Sequence, residues 1–323
     1  MNSRKAMVIG IDKYDSPLYG CCNDAKSIAD ILAKNEDGSK NFSVDLRTNV
    51  MTKSELLSHI TRCFEGDCET ALLFFSGHGH IAIDGGYLVT PDYSDNDWGV
   101  SLQSVLSIAS KSSCKNKVII LDCCHSGSMG EITTLGENNA VIGEGMTVLS
   151  SSGRDEPSTE ENGHGVFTSL LLEALRGCAA DVTGYITPGS IYAYVDKALG
   201  PWGQRPVFKT NVNSFVSLRN VAPSVPLDSL RQITKLFNSE DECLELDPSF
   251  EPTNSPNVEH HVIKPYAIKE NTEKLAMLQQ YEGAGLVKPL GANHMYYAAM
   301  ESKACCLTEL GKQYWRLISS ERI

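Results

Sequence analysis

The sequence predicts an α/β fold in which a mostly parallel sheet carries helices on both faces, followed by a small α+β domain. Three observations carry that expectation. Residues 1–220 alternate short apolar runs with helical patterns, as parallel strands joined by crossover helices do. The runs Ala71-Leu72-Leu73-Phe74-Phe75 and Val118-Ile119-Ile120-Leu121 are continuous, short and bounded by small polar residues, which fits strands buried on both faces. Pro223 and Pro226 then mark a boundary, and the pattern changes beyond them.

The elements follow in order. Ala6–Ile11 reads as the first strand, and Asp24–Ala33 as a helix with Ala25, Ile28, Ile31 and Leu32 on one face. Phe42–Arg47 is the second strand. Thr52–Phe64 is a helix, started by a Thr52 cap with Glu55 three residues on. Ala71–Phe75 is the third strand, Gly86–Thr90 a short return strand and Leu102–Ala109 a helix. Val118–Leu121 and Met146–Ser150 are the fourth and fifth main strands. Val166–Leu175 and Ile191–Leu199 read as helices, Val207–Lys209 and Phe215–Leu218 as late strands.

Residues 1–222 are therefore taken as one domain and 223–323 as a second. In the second, Leu227–Phe237 and Thr272–Tyr281 read as helices, and Asp247–Pro256 as a proline-rich loop. Leu286-Val287-Lys288-Pro289 reads as a turn, Met295–Met300 and Lys303–Leu307 as paired strands, and Glu309–Ile318 as a last helix. That order resembles a winged-helix domain, and Leu307-Thr308-Glu309-Leu310-Gly311-Lys312 resembles the way such domains end their wing.

Bulk properties narrow the function. The 323 residues carry a net charge of −12 and are 41% apolar, which allows a sizeable core and argues against a general nucleic-acid binder. Residues 225–323 hold 10 Lys+Arg against 14 Asp+Glu. Their expected recognition stretch, Thr272–Tyr281, offers only Lys274 against Glu273, so a protein partner is expected there rather than DNA. No run approaches the roughly 18 apolar residues of a membrane helix, and Met1–Ile11 has neither the length nor the cleavage site of a signal peptide. The eleven cysteines are odd in number and include no C-x-x-C pair. They read as thiols of a reducing, cytoplasmic setting, with no structural zinc.

Chemistry concentrates in two motifs. Ser76-Gly77-His78-Gly79 follows the third strand, and Asp122-Cys123-Cys124-His125-Ser126-Gly127 follows the fourth, with 46 positions between His78 and Cys124. Both lie at carboxyl ends of strands, where open parallel sheets bind ligands. Strand side chains alternate faces, so Asp122 and Cys124 share one side and Cys123 points to the other. Cys123 reads as a small buried hydrophobe, and Cys124 as the nucleophile. A thiol with an ordinary pKa of roughly 8.5 needs a base in reach, and His78 is the candidate. The N–H groups of Gly79 and Cys124 are the candidate oxyanion donors. His80 and His125 read as solvent-facing loop residues.

With these motifs in view, residues 4–218 resemble the caspase–metacaspase superfamily. That family places its His about 50 residues before its Cys. The His-Ser-Gly after Cys124 matches the metacaspase form, and Leu18-Tyr19-Gly20-Cys21-Cys22-Asn23-Asp24-Ala25 is similar to the metacaspase N-terminal segment. The chain thus resembles a bacterial metacaspase-like cysteine endopeptidase with an appended domain. The resemblance implies a caspase-like fold and cleavage after Arg or Lys. It also implies an acidic primary pocket built from Asp24 and Asp122, with Ser76 and Cys21 lining it. Asp24 could instead cap the helix it precedes. Arg is expected to be preferred where fork geometry counts. No cofactor is expected. Calcium, which many metacaspases use, would have Asp92, Asp95, Asp97 and Glu131, but the second acidic pair is missing from Leu102–Ser110. No Lys, Arg or Asp lies between His125 and Gly153, so the connector 128–146 is not a self-cleavage site, and Arg154 is the first basic residue beyond it. A regulatory protein partner on the C-terminal domain, and a role in regulated cell death or antiviral defence, are further implications. The competing reading is a catalytically silent adaptor.

Overall fold

The computed structural model describes residues 3–95, 97–123, 142–151, 160–161, 164–200, 206–257, 259 and 261–323. The chain divides into two compact units, Met1–Ala222 and Pro223–Ile323.

The first unit runs β1 (Arg4–Gly10), α1 (Cys21–Ala33), β2 (Ser43–Thr48), α2 (Lys53–Phe64), β3 (Thr70–Ser76), then a three-stranded antiparallel sheet of β4 (Gly79–Ala82), β5 (Gly85–Ser94) and β6 (Asp97–Ser101). It continues with α3 (Leu102–Ser110), β7 (Asn116–Asp122), β8 (Met146–Ser150), the two-residue strands β9 (Glu160–Glu161) and β10 (His164–Gly165), and α4 (Val166–Glu173). It closes with β11 (Tyr185–Ile186), α5 (Pro188–Leu199), β12 (Val207–Asn211) and β13 (Arg219–Asn220).

Among the described residues the central sheet has six strands in the order β12-β8-β7-β3-β1-β2. All pairings are parallel except β12 with β8. Strand side chains alternate between two cores. Ile9, Leu73, Phe75, Ile119 and Leu121 pack with Leu56 and Ile60 of α2 and Val105 and Leu106 of α3. Val8, Leu72, Phe74, Val118 and Ile120 pack on the other face with Ala25, Ile28 and Leu32 of α1, Leu171 of α4 and Ile191 of α5. Phe74 and Phe75 are fully buried on opposite faces, each contributing about 2–3 kcal/mol of apolar transfer. The expected mostly parallel sheet with helices on both faces is therefore the observed one. Thr52 caps α2 as its sequence predicts, its side chain accepting from Glu55 N at 3.2 Å.

Three expectations change in this unit. The helix α1 starts at Cys21, three residues before Asp24, and Asp12 serves its N-terminus by accepting from Cys21 N at 2.9 Å. Asp24 is thus inside the first turn and not a cap. The last strand is Arg219–Asn220, paired with β11, instead of Phe215–Leu218. Cys68 and Cys114 form a disulfide between the chain leading into β3 and the chain leading into β7, against the expectation that the cysteines are thiols. The two are 46 residues apart; the β3–β7 register brings such positions together, which the cysteine count alone does not reveal.

The second unit is α+β. It comprises α6 (Leu227–Leu230), α7 (Ile233–Leu236), β14 (Cys243–Glu245), α8 (Lys269–Gly283), β15 (Val287–Leu290), α9 (Met295–Met300), β16 (Ala304–Leu307) and α10 (Glu309–Ser319). The strands form an antiparallel sheet in the order β14-β16-β15. The expected turn at Leu286–Pro289 is largely strand β15. Pro289 is tolerated because β15 is an edge. The expected strand Met295–Met300 is helix α9, which buries Met295, Ala298 and Ala299 at helical spacing. The paired strands are therefore Val287–Leu290 and Ala304–Leu307. The expected single helix Leu227–Phe237 is broken into α6 and α7.

Candidate active site

The β3–β7 register sets Ser76 beside Asp122. Both strands end there, at the carboxyl edge of the sheet. Side chains at this edge continue the alternation seen in the strands: Cys123 is 1% exposed and belongs to the α2–α3 core, while Asp122 turns to the α1–α4 side, where Thr168 meets it.

Asp24 and Asp122 converge on Gly165. Asp24 is buried; its Oδ2 accepts from Ser76 Oγ at 3.2 Å and from Gly165 N at 3.3 Å, and its Oδ1 lies 2.7 Å from His164 Nδ1. Asp122 is buried too, and its Oδ2 accepts from Thr168 Oγ1 at 2.6 Å. Gly165 lies between the two acids. A Cβ on it would come within 2.4 Å of Asp122 Oδ2 and 3.4 Å of Asp24 Oδ2. Burial pushes the Asp122 carboxyl up to about 6; the charge of Asp24 adds to this, and donors from Thr168 and Ser151 oppose it. Asp24 is also raised by burial, opposed by the donors from His164, Gly165 and Ser76. Cys21 is buried against Ser76, and burial raises its thiol far above the ordinary range, which keeps it neutral.

His78 sits just past β3 and is half-buried. Its backbone N–H donates to the Tyr14 hydroxyl at 3.2 Å, and that hydroxyl donates to Val89 O at 3.2 Å. The Tyr14 ring stands edge-on to the imidazole, with centroids 4.6 Å apart. His78 Nε2 is 2.9 Å from Ser16 O. A carbonyl only accepts, so Nε2 carries the proton and Nδ1 is the basic nitrogen. Gly79 opens β4, opposite Leu88. A cavity of about 180 Å³ adjoins His78, lined on its far side by His80, Tyr93 and Trp98. His80 stacks on Trp98 with centroids 3.7 Å apart, so it is packed and not simply solvent-facing.

The candidate nucleophile Cys124, its N–H as oxyanion donor, His125, Glu131 and Arg154 lie outside the described residues. So does most of the connector 128–146. Two of the acids weighed for calcium, Asp92 and Asp97, have other partners. Asp92 accepts from Lys53 N at 3.0 Å and from Thr90 Oγ1 at 2.7 Å, and Asp97 pairs with Lys53 Nζ at 2.7 Å. Among the described residues no group of three or more His, Cys, Asp or Glu is placed to hold a metal ion.

Four contributors escape the motif reading. Ser16 acts through a backbone carbonyl, which has no sequence signature. Tyr14 precedes the recognised N-terminal segment. His164 and Thr168 lie some 140 and 46 residues from the acids they touch, with only a short His-Gly before an apolar helix to point to them.

Comparison with known proteins follows this geometry. A family model for the caspase domain matches residues 3–214. No curated protein sequence is significantly similar to the chain. Among solved structures, caspase-1 from Spodoptera frugiperda superposes with a TM-score of 0.51 at 16% identity, covering 68% of this chain and 91% of that one. Protein GSU0716 from Geobacter sulfurreducens superposes with a TM-score of 0.50 at 16% identity, covering 68% of this chain and 98% of that one. At this identity the superpositions speak for the fold alone. Among the described residues no helix is long and apolar enough to cross a membrane. The family match spans most of the first unit, and on it the chain belongs to the caspase-domain family of cysteine peptidases.

Proposed function

We propose that the protein is a cysteine endopeptidase that cleaves protein substrates after Arg or Lys, with Cys124 as nucleophile and His78 as its acid–base partner. The observation that carries the specificity is the pair of buried carboxylates, Asp24 and Asp122, flanking Gly165. Two such acids are costly together and are satisfied by a cation with several donors. A pocket for an acidic side chain would need basic residues there, and among the described residues the side chains around the two acids are instead hydroxyls, a thiol and one imidazole.

In the proposed reaction the Cys124 sulfur attacks the carbonyl carbon after the basic residue, and the carbonyl π electrons move onto oxygen. The N–H groups of Gly79 and Cys124 receive that oxyanion. His78 Nδ1, holding the proton taken from the thiol, gives it to the departing amine as the C–N bond breaks. Ser16 O fixes the imidazole through Nε2–H. Water then adds to the thioester, loses its proton to Nδ1, and the thiol leaves. Asp122 and Asp24 hold the basic side chain and take no part in proton transfer.

The enzyme is proposed to act as a single chain, because the connector offers no basic residue for self-cleavage. A regulatory protein is proposed to bind the second unit, which we read as winged-helix-like. Tyr296 and Tyr297 of α9 are exposed there, and its negative charge disfavours nucleic acid. A cytoplasmic setting rests on the cysteine pattern, against which the Cys68–Cys114 disulfide counts, and a role in regulated cell death or defence rests on family resemblance. The test is active-site labelling. A peptidyl-arginine acyloxymethyl ketone should add once, at Cys124, and Cys124→Ala should abolish labelling. An Asp-directed analogue labelling instead would overturn the assignment.

A further inference from the structure

We infer that His164 is the resting occupant of the Asp24 carboxylate, and that an arginine side chain must displace it while a lysine side chain need not. If the recess is the socket for a basic side chain, as proposed, His164 then sets the balance between the two.

A carboxylate offers about four acceptor positions. On Asp24, Oδ2 takes Ser76 Oγ and Gly165 N, and Oδ1 takes His164 Nδ1 at 2.7 Å. Among the described residues that leaves one position. An ammonium can use that one together with Asp122. A guanidinium binds best through two parallel hydrogen bonds, and Asp24 cannot supply both while His164 stays. Of the three resident donors, Ser76 is the last residue of a central strand and Gly165 donates from its backbone. Gly165 N cannot swing away, and the buried Ser76 hydroxyl can only rotate in place. His164 can swing away, because it is a side chain at the mouth, 26% exposed against 2% for Asp24.

The imidazole is held from both ring nitrogens. Asn23 Nδ2 lies 2.9 Å from His164 Nε2. An amide nitrogen only donates, so Nε2 accepts and the proton sits on Nδ1, facing Asp24. The imidazole N–H gives the carboxylate one hydrogen bond, whereas a guanidinium brings two together with its own positive charge. A guanidinium can therefore replace it, at the expense of the hydrogen bonds His164 gives up.

The test is calorimetric titration of the full chain with agmatine, which ends in a guanidinium, and with 1,5-diaminopentane, which ends in ammonium groups. Wild type, His164→Ala and His164→Asn are compared, each checked by thermal unfolding. Loss of one competing hydrogen bond should tighten agmatine about tenfold in His164→Ala, with diaminopentane changing less than about threefold. His164→Asn keeps an N–H donor near the position of Nδ1 and should bind both probes as wild type does. In wild type, the His164 ring resonances should shift on adding agmatine and stay in place with diaminopentane.

If agmatine binds wild type but His164→Ala leaves it unchanged or weaker, His164 supports the socket and does not compete, and the inference is overturned while the socket stands. If neither probe binds any form, the socket itself is wrong. Should His164→Ala not fold, the ring resonances decide: no shift with bound agmatine overturns the inference.

Discussion

Ser76 and Asp122 are register partners at the ends of parallel strands β3 and β7. That one pairing brings the two sequence motifs to a single edge of the sheet. Ser76 also hydrogen-bonds the buried Asp24 carboxylate, so the same pairing brings helix α1 into the site. Two acids, 98 positions apart in sequence, come to lie on either side of Gly165.

The Asp122 carboxyl, pushed to about 6 by burial, makes stability depend on pH. Unfolded, it titrates near 3.9. Between those values the folded state holds the proton more often, so stability falls as pH rises through about 4 to 6. The cost is full above pH 6, is absent below pH 4, and is about 3 kcal/mol. Asp122→Asn should therefore stabilise the protein by about 1–3 kcal/mol at pH 7.5 and leave it unchanged near pH 4. Urea unfolding at the two pH values checks this; equal gains at both would contradict it.

Function should run the other way. In the proposed pocket Asp122 would hold a basic side chain only when ionised, so KM for an Arg substrate should fall as pH rises from 5 to 7. Asp24→Asn or Asp122→Asn removes one partner of a buried charged contact, worth about 2 kcal/mol or more. Each should lower kcat/KM by at least about 30-fold, chiefly through KM, as steady-state kinetics with an Arg peptide would measure.

Gly165 leaves no room for a side chain. Its Cβ would collide with Asp122 Oδ2, so Gly165→Ala must push β10 off the acids and weaken the bond from Gly165 N to Asp24. We expect a stability loss of about 1–3 kcal/mol and loss of agmatine binding. Retained binding in a folded variant would show that the recess has more play than the geometry allows.

Tyr14 positions His78 through its hydroxyl and the edge of its ring. Tyr14→Phe keeps the ring but strips the partner from His78 N–H. Stability should fall by about 1 kcal/mol. The turnover rate should drop several-fold with KM nearly constant, because His78 does not bind the basic side chain.

The first unit was readable because its strands obey one rule. Continuous apolar runs such as Ala71–Phe75 and Val118–Leu121 are buried on both faces, and small polar residues end them. Asp24 and Asp122 were readable through motif resemblance, and their meeting follows from the register. His164 was not, because a single histidine before Val166 looks like any loop residue until the fold carries it to Asp24. The second unit misled where side-chain type competes with spacing. Tyr296 and Tyr297 favour strands, yet Met295, Ala298 and Ala299 carry a helical period, and the helix forms. Pro289 looks like a turn signal, but an edge strand accepts it.

The most direct test of the central claim is hydrolysis of matched fluorogenic peptides with Arg, Lys or Asp before the scissile bond, by wild type and by Cys124→Ala. Cleavage of the Arg and Lys peptides by wild type alone is the predicted result. Cleavage of the Asp peptide instead, or activity that survives Cys124→Ala, would contradict it.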